Sequence, residues 1–241
     1  MKKFFFLFVF FSFNSFSQQY PKWFLFPGEV RCSPHITFIT SPPTYYRDSA
    51  IAQGFKLGCD LLARYTGMRI SGGQTFWSTE AGISSMGAKY EQHYDTLLAG
   101  EYLSTLKVIR SYIDKEKTLV LVGDSSCPVS DNLTSLVTLG SIKQPQWVEE
   151  LPVQKEYEFG VGFSEQFYYE ISSWQWAEKN SYMALARSTK VKMQSLQKLD
   201  AREGQDIRNE EIDVYLHNVE IIARWKDVKK KIYYVLARMK K

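Results

Sequence analysis

An internal repeat constrains the fold of this chain more than any other feature of its sequence. The segment Leu62–Thr66 (LARYT) recurs 123 residues later as Leu185–Thr189 (LARST), and four of the five positions are identical. The same shift superimposes two sets of small residues: Ala50, Gly54 and Gly58 fall on Ser173, Ala177 and Ser181. Self-similarity at a fixed distance indicates two copies of one supersecondary unit.

Each copy is expected to contain one long helix. The patterns predict helices from about Asp48 to Tyr65 and from about Ser172 to Arg187. Both carry small residues at every fourth position, although each glycine inside a helix costs about 0.8–1.0 kcal/mol relative to alanine. A stripe with that cost indicates close approach of the helix to a sheet. Alternating or apolar segments predict the strands Val30–Thr40, Thr66–Ser71, Ser104–Ile113, Thr118–Val122, Val191–Ser195 and Ile232–Ala237.

The expected fold class is therefore α+β, with two tandem divergent repeats that each pack a helix on an antiparallel β-sheet. Residues 18–139 form the first repeat and residues 156–241 the second. Residues 140–155 are predicted to be a linker because they contain two prolines and a glutamate pair. The segment Ser78–Gln92, rich in Ser, Gly and Ala, is expected to be an irregular insertion.

The N-terminus has the pattern of a secretory signal peptide. Lys2 and Lys3 precede an apolar run from Phe4 to Phe13, which is too short to span a bilayer, and small residues follow at Ser15 and Ser17. Cleavage is predicted after Ser17. The mature chain would then have 224 residues, with 28 basic and 26 acidic side chains, a net charge of +2.

Three cysteines permit at most one intramolecular disulfide in an exported protein. We expect that bond between Cys32 and Cys127, since both lie in segments with loop-like composition. Cys59 lies within the predicted first helix and is expected to remain a buried thiol.

Composition and spacing disfavour several functional classes. A mature net charge of +2 is too balanced to predict nucleic-acid binding. The three histidines, His35, His93 and His217, lack metal-ligand spacing, so no metal site and no cofactor are predicted. Cys127 could be a nucleophile, but a proline-flanked loop cysteine in an exported chain is more often half of a disulfide. No catalytic residues are therefore assigned.

The second repeat resembles the twenty-kilodalton bacterial surface lipoprotein family, here called the LPP-twenty family. The resemblance covers roughly residues 156–241 and depends on the order of these segments: Gly160–Gly162, Ala184–Arg187, Val191–Ser195, Arg224–Asp227 and Tyr233–Arg238. It implies a helix packed on an antiparallel sheet and a role in the periplasm or at the outer membrane. The chain differs from the family pattern because it has no lipid-bearing cysteine near the predicted cleavage site.

Two candidate interaction surfaces follow from the second repeat. Trp174 and Trp176, near the start of the second helix, are candidates for contact with a partner, although packing in the core is an equally good interpretation. The lysines Lys229, Lys230 and Lys231 could contact anionic lipid headgroups or glycan phosphates. They could also simply keep a strand end solvated. The preceding Arg224–Asp227 segment is predicted to shape a hairpin turn.

These observations favour an exported, non-enzymatic structural or interaction module of a Gram-negative-type cell envelope. Its expected partners are envelope proteins or a second copy of the chain, with possible peripheral membrane or glycan contact. Two alternatives remain open: a hydrolase or thiol enzyme that uses Cys127 or a carboxylate pair, and a released protein that acts on a host cell.

Overall fold

The computed structural model of the 241-residue chain describes residues 18–43, 45–79, 82–189, 191–196 and 206–241, with the backbone alone at 74–79, 82–89, 191–196 and 206–211. The strands are β1 (Gln19–Pro21), β2 (His35–Thr40), β3 (Gly67–Thr79), β4 (Gly82–Tyr94), β5 (Lys107–Ile113), β6 (Thr118–Gly123), β7 (Leu136–Thr138), β8 (Tyr157–Glu165), β9 (Val191–Leu196), β10 (Asp206–His217), β11 (Glu220–Asp227) and β12 (Ile232–Lys240). The helices are α1 (Lys22–Leu25), α2 (Arg47–Thr66), α3 (Thr96–Thr105), α4 (Asp131–Thr134) and α5 (Glu170–Thr189). Short 3-10 turns occur at Pro27–Glu29, Leu139–Ser141 and Gln146–Val148.

Two three-stranded antiparallel sheets have corresponding strand orders. The first half of the chain forms β2-β6-β5, and the second half forms β8-β12-β11. In each sheet the strand that precedes the long helix lies at one edge, and the last of the three strands along the chain lies in the middle. The expected α+β class, with helices on antiparallel sheets, is confirmed.

A four-stranded sheet joins the two halves in the order β4-β3-β10-β9. Its central pair is β3 and β10, which are antiparallel from Gly67↔His217 to Ser78↔Asp206. Ser78–Gln92 is therefore not an irregular insertion, as its composition suggested, because β4 pairs with β3 through most of this segment. Backbone pairing stabilises a strand that has little intrinsic β-propensity.

Helix α2 packs on the first sheet through its small residues, as the stripe predicted. A Cβ added to Gly54 would lie 3.1 Å from a methyl carbon of Val120, and one added to Gly58 would lie 3.3 Å from a methyl carbon of Val122. Both valines belong to the central strand, β6. The missing side chains therefore bring the helix close to the sheet.

Helix α5 approaches the second sheet by the opposite arrangement. Here the glycines are in the strand, β8, and the helix contributes Ala177 and Ser181. A Cβ on Gly162 would overlap the carbonyl oxygen of Ala177 and the amide nitrogen of Ser181, and a Cβ on Gly160 would overlap the carbonyl oxygen of Ser181. No volume is available at either strand position for any larger residue.

Both outer sheets contain a hairpin that turns at an aspartate. Asp114 Oδ1 accepts hydrogen bonds from the backbone N–H groups two and three residues later, at 2.8 and 2.9 Å. Asp227 Oδ1 does the same at 3.0 and 2.9 Å. Each hairpin also has a β-bulge five residues before the aspartate, at Ile109 and at Ile222. The predicted turn at Arg224–Asp227 is thus displaced, because these residues form the end of β11 and the turn follows them.

The halves differ in the connection that precedes this hairpin. Twelve residues, including α3, connect β4 to β5, whereas Asn218 and Val219 alone connect β10 to β11. This difference accounts for a change in spacing along the chain. Strands β4 and β10 end 123 residues apart, at Tyr94 and His217, but the two turn aspartates are 113 residues apart.

The N-terminal segment packs into a core that both halves share. Strand β1 pairs with β7, and the segment buries Tyr20 within this strand and Trp23 and Phe24 after it. Tyr20 and Phe24 contact Trp174 of α5, with ring centroids 5.9 Å apart in both pairs. The buried apolar residues of the described chain form one cluster that includes members of both halves.

The predicted signal peptide, residues 1–17, lies outside the described residues. None of the helices in the described ranges combines the length and the apolar character needed to cross a membrane.

Candidate functional site

An exposed aromatic groove lies where the chain enters α5. It is formed by Phe167, Tyr168, Tyr169 and Trp176, and its remaining lining residues are Ser172, Gln175, Lys179 and Tyr182. Its volume is about 560 Å³. Tyr168 is 94% exposed and Trp176 is 48% exposed. Exposed aromatic clusters of this kind are typical of interaction sites.

Hydrogen bonds and ring contacts hold the groove in shape. Ser173 Oγ accepts a hydrogen bond from the backbone N–H of Phe167 at 2.8 Å, which fixes the loop to the first turn of α5. The rings of Phe167 and Trp176 meet edge-on at 6.3 Å, and those of Tyr168 and Tyr169 at 4.8 Å. Edge-to-face contacts at such distances are favourable. These contacts fix the Phe167 loop and orient the Phe167 and Trp176 rings.

Polar groups alternate with the rings along the exposed face of α5. Gln175 Nε2 donates to the backbone carbonyl of Ile39 at 3.1 Å, which ties the groove to the first half of the chain. Lys179 Nζ lies 5.0 Å from the centroid of the Trp176 ring, within the range of a cation–π interaction. Among the described lining residues, Lys179 is the one that carries a full charge.

Trp174 is not part of an interaction surface, contrary to one of the two sequence-based interpretations. Its side chain is 0% exposed, and its Nε1 donates to the Tyr20 hydroxyl at 3.0 Å. Two residues along a helix correspond to a rotation of about 200°, so Trp174 and Trp176 point to opposite sides of α5. The packed side is the one that carries Ala177 and Ser181, and Trp176 remains a candidate on the exposed side.

The lysines Lys229, Lys230 and Lys231 are exposed at the β11–β12 turn. Lys230 Nζ is 3.9 Å from Asp227 Oδ2, a weak ion pair at the surface. Because Ile232 pairs with Glu165, this turn lies beside the end of β8, two residues before Phe167. The basic turn and the aromatic groove are therefore neighbours along the same strand end.

A buried ion pair of the second half lies in a cluster that connects the two halves. Arg224 Nη2 donates to Glu178 Oε2 at 3.0 Å, and the Arg224 side chain is 1% exposed. The guanidinium also donates to the Phe24 carbonyl at 2.8 Å and to Thr37 Oγ1 at 2.7 Å. The Tyr65 hydroxyl donates to the other Glu178 oxygen at 2.6 Å. Sequence analysis missed this cluster because its members are far apart in the chain.

A second buried cation, Lys226, lies on the same strand. Its Nζ donates to Gln18 Oε1 at 2.7 Å and to Glu170 Oε1 at 3.3 Å, and it lies 4.4 Å from the centroid of the Tyr233 ring. The Tyr233 hydroxyl donates to the same Glu170 oxygen at 2.9 Å. Burial lowers the pKa of Lys226, and Glu170 partly offsets this effect.

The tyrosines in these clusters are held in their neutral form. Burial, with the Glu178 carboxylate second, raises the pKa of Tyr65 well above its ordinary value of 10.0. Burial, with Glu170 second, raises the pKa values of Tyr20 and Tyr233 in the same direction. A neutral hydroxyl that donates to a carboxylate stabilises the packing of the two halves, but it is a poor nucleophile.

A cavity of about 330 Å³ adjoins the Arg224 cluster. Its walls include Thr37, Tyr65, Asn218 and Arg224. The Arg224 Nε atom is buried without a hydrogen-bond partner. The guanidinium charge is nevertheless compensated by Glu178, so the cavity contains no uncompensated charge from this residue.

Cys32 and Cys127 are joined by a disulfide, the pair predicted from the sequence, and Cys59 is a buried free thiol. Burial raises the pKa of Cys59 to about 11, so this thiol is unreactive at neutral pH. His35 contacts the backbone carbonyls of Cys32 and Pro27, at 2.6 and 3.1 Å. Within the described residues, no three His, Cys, Asp or Glu side chains are placed to hold a metal ion.

Comparison of this chain with protein-family models, with curated proteins and with solved structures gives no match. The candidate site is accordingly defined by the geometry of the chain itself. Of the exposed features, the aromatic groove combines accessible rings, polar groups and a fixed shape. Of the buried features, the two ion-pair clusters pair their charges internally and include residues of both halves, although Arg224 Nε and Glu170 Oε2 are without a hydrogen-bond partner.

Proposed function

We propose that this chain is an exported, non-enzymatic binding module of the cell envelope and that it binds its partner through the aromatic groove. The observation that carries the proposal is the exposure of Phe167, Tyr168, Tyr169 and Trp176 on a fixed loop and helix. Tyr and Trp are enriched at binding hot spots because each contributes a large contact area at low entropic cost.

Export is supported by two independent features. Residues 1–17 have the composition of a cleavable signal peptide. The disulfide between Cys32 and Cys127 is of a kind that persists in oxidising compartments and is rare in the cytosol. Periplasmic or outer-membrane-associated localisation is therefore part of the proposal.

We further propose that the chain evolved from two copies of one unit, each resembling the LPP-twenty family. Corresponding strand orders in the outer sheets support this origin. So do the equivalent bulges at Ile109 and Ile222 and the equivalent turns at Asp114 and Asp227. Aligning the two aspartates pairs Arg224 with Ser111, so the buried arginine is a feature of the second copy. Helix α3 is an addition to the first copy.

A binding role is favoured over the enzymatic alternative by the state of the reactive groups. The Cys127 sulfur is bonded to Cys32 and is not available as a thiolate nucleophile. The buried carboxylates Glu170 and Glu178 each accept hydrogen bonds from a tyrosine and a cation, as structural groups do. Neither carboxylate lines the aromatic groove.

Fractionation of cells that produce the full chain tests this proposal. The wild-type protein is expected to start at Gln18 by mass spectrometry and to sediment with the envelope. The double variant Tyr168→Ala/Trp176→Ala is expected to fold but to move to the soluble fraction, since both side chains are exposed. Tyr45→Ala/Tyr46→Ala is the matched control, because this exposed tyrosine pair precedes α2 and does not line the groove. An uncleaved cytosolic protein, or equal sedimentation of all three proteins, would contradict the proposal.

A further inference from the structure

We infer that the ligand of the aromatic groove is an acidic glycan, a chain of sugar rings that carries carboxylate groups. The inference rests on the proposed function and adds the chemical class of the ligand. It follows from the chemistry of the lining residues, from the size of the groove and from the charge around it.

The lining residues suit a sugar ring. Each described residue that lines the groove is either aromatic or carries a hydrogen-bonding group, and none is aliphatic. The C–H faces of a pyranose ring can stack on the faces of Trp176 and the tyrosines, because aromatic faces are electron-rich and the C–H groups carry partial positive charge. Sugar hydroxyls can meanwhile bond to Ser172 and Gln175. A wholly apolar ligand would offer no partner to the Ser172 hydroxyl or to the Gln175 carbonyl oxygen, whose amide nitrogen already donates to Ile39.

The size of the groove favours a ligand narrower than a folded protein. Its volume of about 560 Å³ lies in the usual range of about 300–1,000 Å³ for small-ligand sites. A stable protein–protein interface instead buries about 800 Å² on each partner. Tyr168, Tyr169 and Ser172 also line a second groove, of about 790 Å³. Its lining includes Glu116 and Glu170 as well as Lys115, so a glycan that continued into it would place neutral sugar groups there and its carboxylates in the first groove.

The charge inside the groove favours an anionic ligand. Lys179 lies against Trp176 inside the groove, and the lysines at positions 229–231 lie beside the end of β8, where Glu165 and Asp227 offset part of their charge. Lys179 is a full charge in a lining set that contains no carboxylate among its described members. A carboxylate on the ligand would pair with this ammonium while the adjacent ring stacks on Trp176. Such pairs weaken as salt screens them.

A fixed groove lowers the entropic cost of binding. Two features, the hydrogen bond from the Phe167 backbone to Ser173 and the bond from Gln175 to Ile39, hold the walls in place. Immobilising a flexible side chain on binding costs about 0.5–1.5 kcal/mol. The Phe167 and Trp176 rings, which are already packed edge-on, avoid part of that cost.

Sedimentation of the purified mature chain with insoluble polysaccharides tests the inference. The probes are peptidoglycan sacculi, whose sugar chains carry carboxylates, and chitin, a neutral polymer of similar sugar rings. We expect saturable binding to sacculi that Trp176→Ala weakens by at least about tenfold, as hot-spot aromatics do. Lys179→Gln should weaken binding to sacculi mainly at low salt and leave any binding to chitin unchanged. Tyr45→Ala/Tyr46→Ala, the groove-independent control, should bind like the wild type.

Other outcomes would overturn the inference. Absence of binding to sacculi, or equal binding by wild type and Trp176→Ala, would exclude an acidic glycan in this groove. Groove-dependent binding to anionic phospholipid vesicles in place of sacculi would assign the ligand to lipid. If the wild-type protein does not bind sacculi, but Tyr168→Ala/Trp176→Ala still moves from the envelope fraction to the soluble fraction, the glycan inference fails and the proposed function stands. If neither assay depends on the groove, both fail.

Discussion

At the residue scale, the buried pair of Arg224 and Glu178 lies within the second half and is hydrogen-bonded to Phe24, Thr37 and Tyr65 of the first half. Each charge is almost fully removed from water, so each depends on the other and on neutral hydrogen-bond partners. Removing one member of such a pair leaves an uncompensated buried charge, which costs more than the pair contributed. These residues are therefore structural, and their loss should affect stability before it affects binding.

We predict that Glu178→Ala lowers the free energy of unfolding by about 3–5 kcal/mol, because the buried guanidinium loses its counter-ion. Urea denaturation measures this change. The matched control is Asp213→Asn, in the exposed pair with Arg69 at 2.7 Å, which should cost about 0–1 kcal/mol. Equal losses in the two variants would show that Glu178 is not a buried partner.

The buried tyrosines predict a loss of stability at alkaline pH. Their pKa values are raised in the folded state. As the pH rises, the tyrosines of the unfolded chain therefore lose their protons first, near the ordinary tyrosine pKa of 10.0. Stability is fully present below that pH and falls above it, by about 1.4 kcal/mol per pH unit for each tyrosine that stays neutral. Lys226, with a lowered pKa, adds stability as pH rises, but only up to its ordinary value of 10.5.

Urea unfolding on either side of pH 10.5, combined with ultraviolet titration of the phenols, checks this prediction. Tyr65→Phe should reduce the slope of the free energy of unfolding against pH by the equivalent of one proton. Tyr168→Phe, at an exposed tyrosine, should leave that slope unchanged. Ionisation of all fifteen tyrosines near pH 10 in the folded protein would contradict the account.

At the scale of the elements, each half brings a helix close to a sheet by a different choice of small residues. Glycine lies on the helix in the first half and on the strand in the second. Because Gly162 faces the backbone of α5, an added methyl group cannot be accommodated by a side-chain rotation. The contact is therefore less tolerant than the one between Gly54 and Val120, where a side chain can move.

We predict that Gly162→Ala destabilises the protein by more than about 3 kcal/mol, at the upper end of the cost of overpacking, or prevents folding. Gly140→Ala should have almost no effect, since no atom lies within 4 Å of the position a Cβ would occupy there. Thermal and urea denaturation of the two proteins provide the comparison. A stable Gly162→Ala protein would mean that α5 and β8 are farther apart than described.

Local patterns in the sequence predicted the long helices, the small-residue contacts and the disulfide. They did so because helix periodicity and loop composition act over short distances. Strand β4 was missed because its stability comes from pairing with β3 and not from its Ser- and Gly-rich composition. Arg224 was missed because its partner, Glu178, is 46 residues away, and charged residues in a strand usually face water.

Of the four aromatic residues that form the groove, the sequence analysis named Trp176 as a candidate for contact with a partner. The small-residue stripe does not by its spacing separate Trp176 from Trp174, because Trp174 lies three residues before Ala177 and Trp176 lies three residues after Ser173. Phe167, Tyr168 and Tyr169 were not recognised because the sequence does not show whether aromatic residues in a loop fold inward.

At the scale of the whole molecule, the two halves share one core. The central sheet takes two strands from each half, and the Tyr65–Glu178 and Arg224–Thr37 hydrogen bonds connect residues of different halves. A core of this kind is expected to unfold as one unit, even though the sequence pattern predicts two repeats.

We predict a single unfolding transition in urea, coincident by circular dichroism and tryptophan fluorescence, for the mature chain with its disulfide intact. Residues 18–139 expressed alone should not give a cooperative transition, because they lack the β10 partner of β3 and the Trp174 partner of Tyr20. Two separated transitions, or a stably folded fragment, would show that the halves are independent domains.

The central claim, that the aromatic groove is the binding surface, is tested most directly by photo-crosslinking in the cells that produce the protein. A photoreactive phenylalanine analogue is placed either at Tyr168 or at Tyr45, which are 94% and 90% exposed. We predict a defined crosslinked product from position 168 that disappears when Trp176→Ala is added, and no such product from position 45. Uncrosslinked monomer at both positions, or a product at 168 that Trp176→Ala leaves unchanged, would contradict the claim.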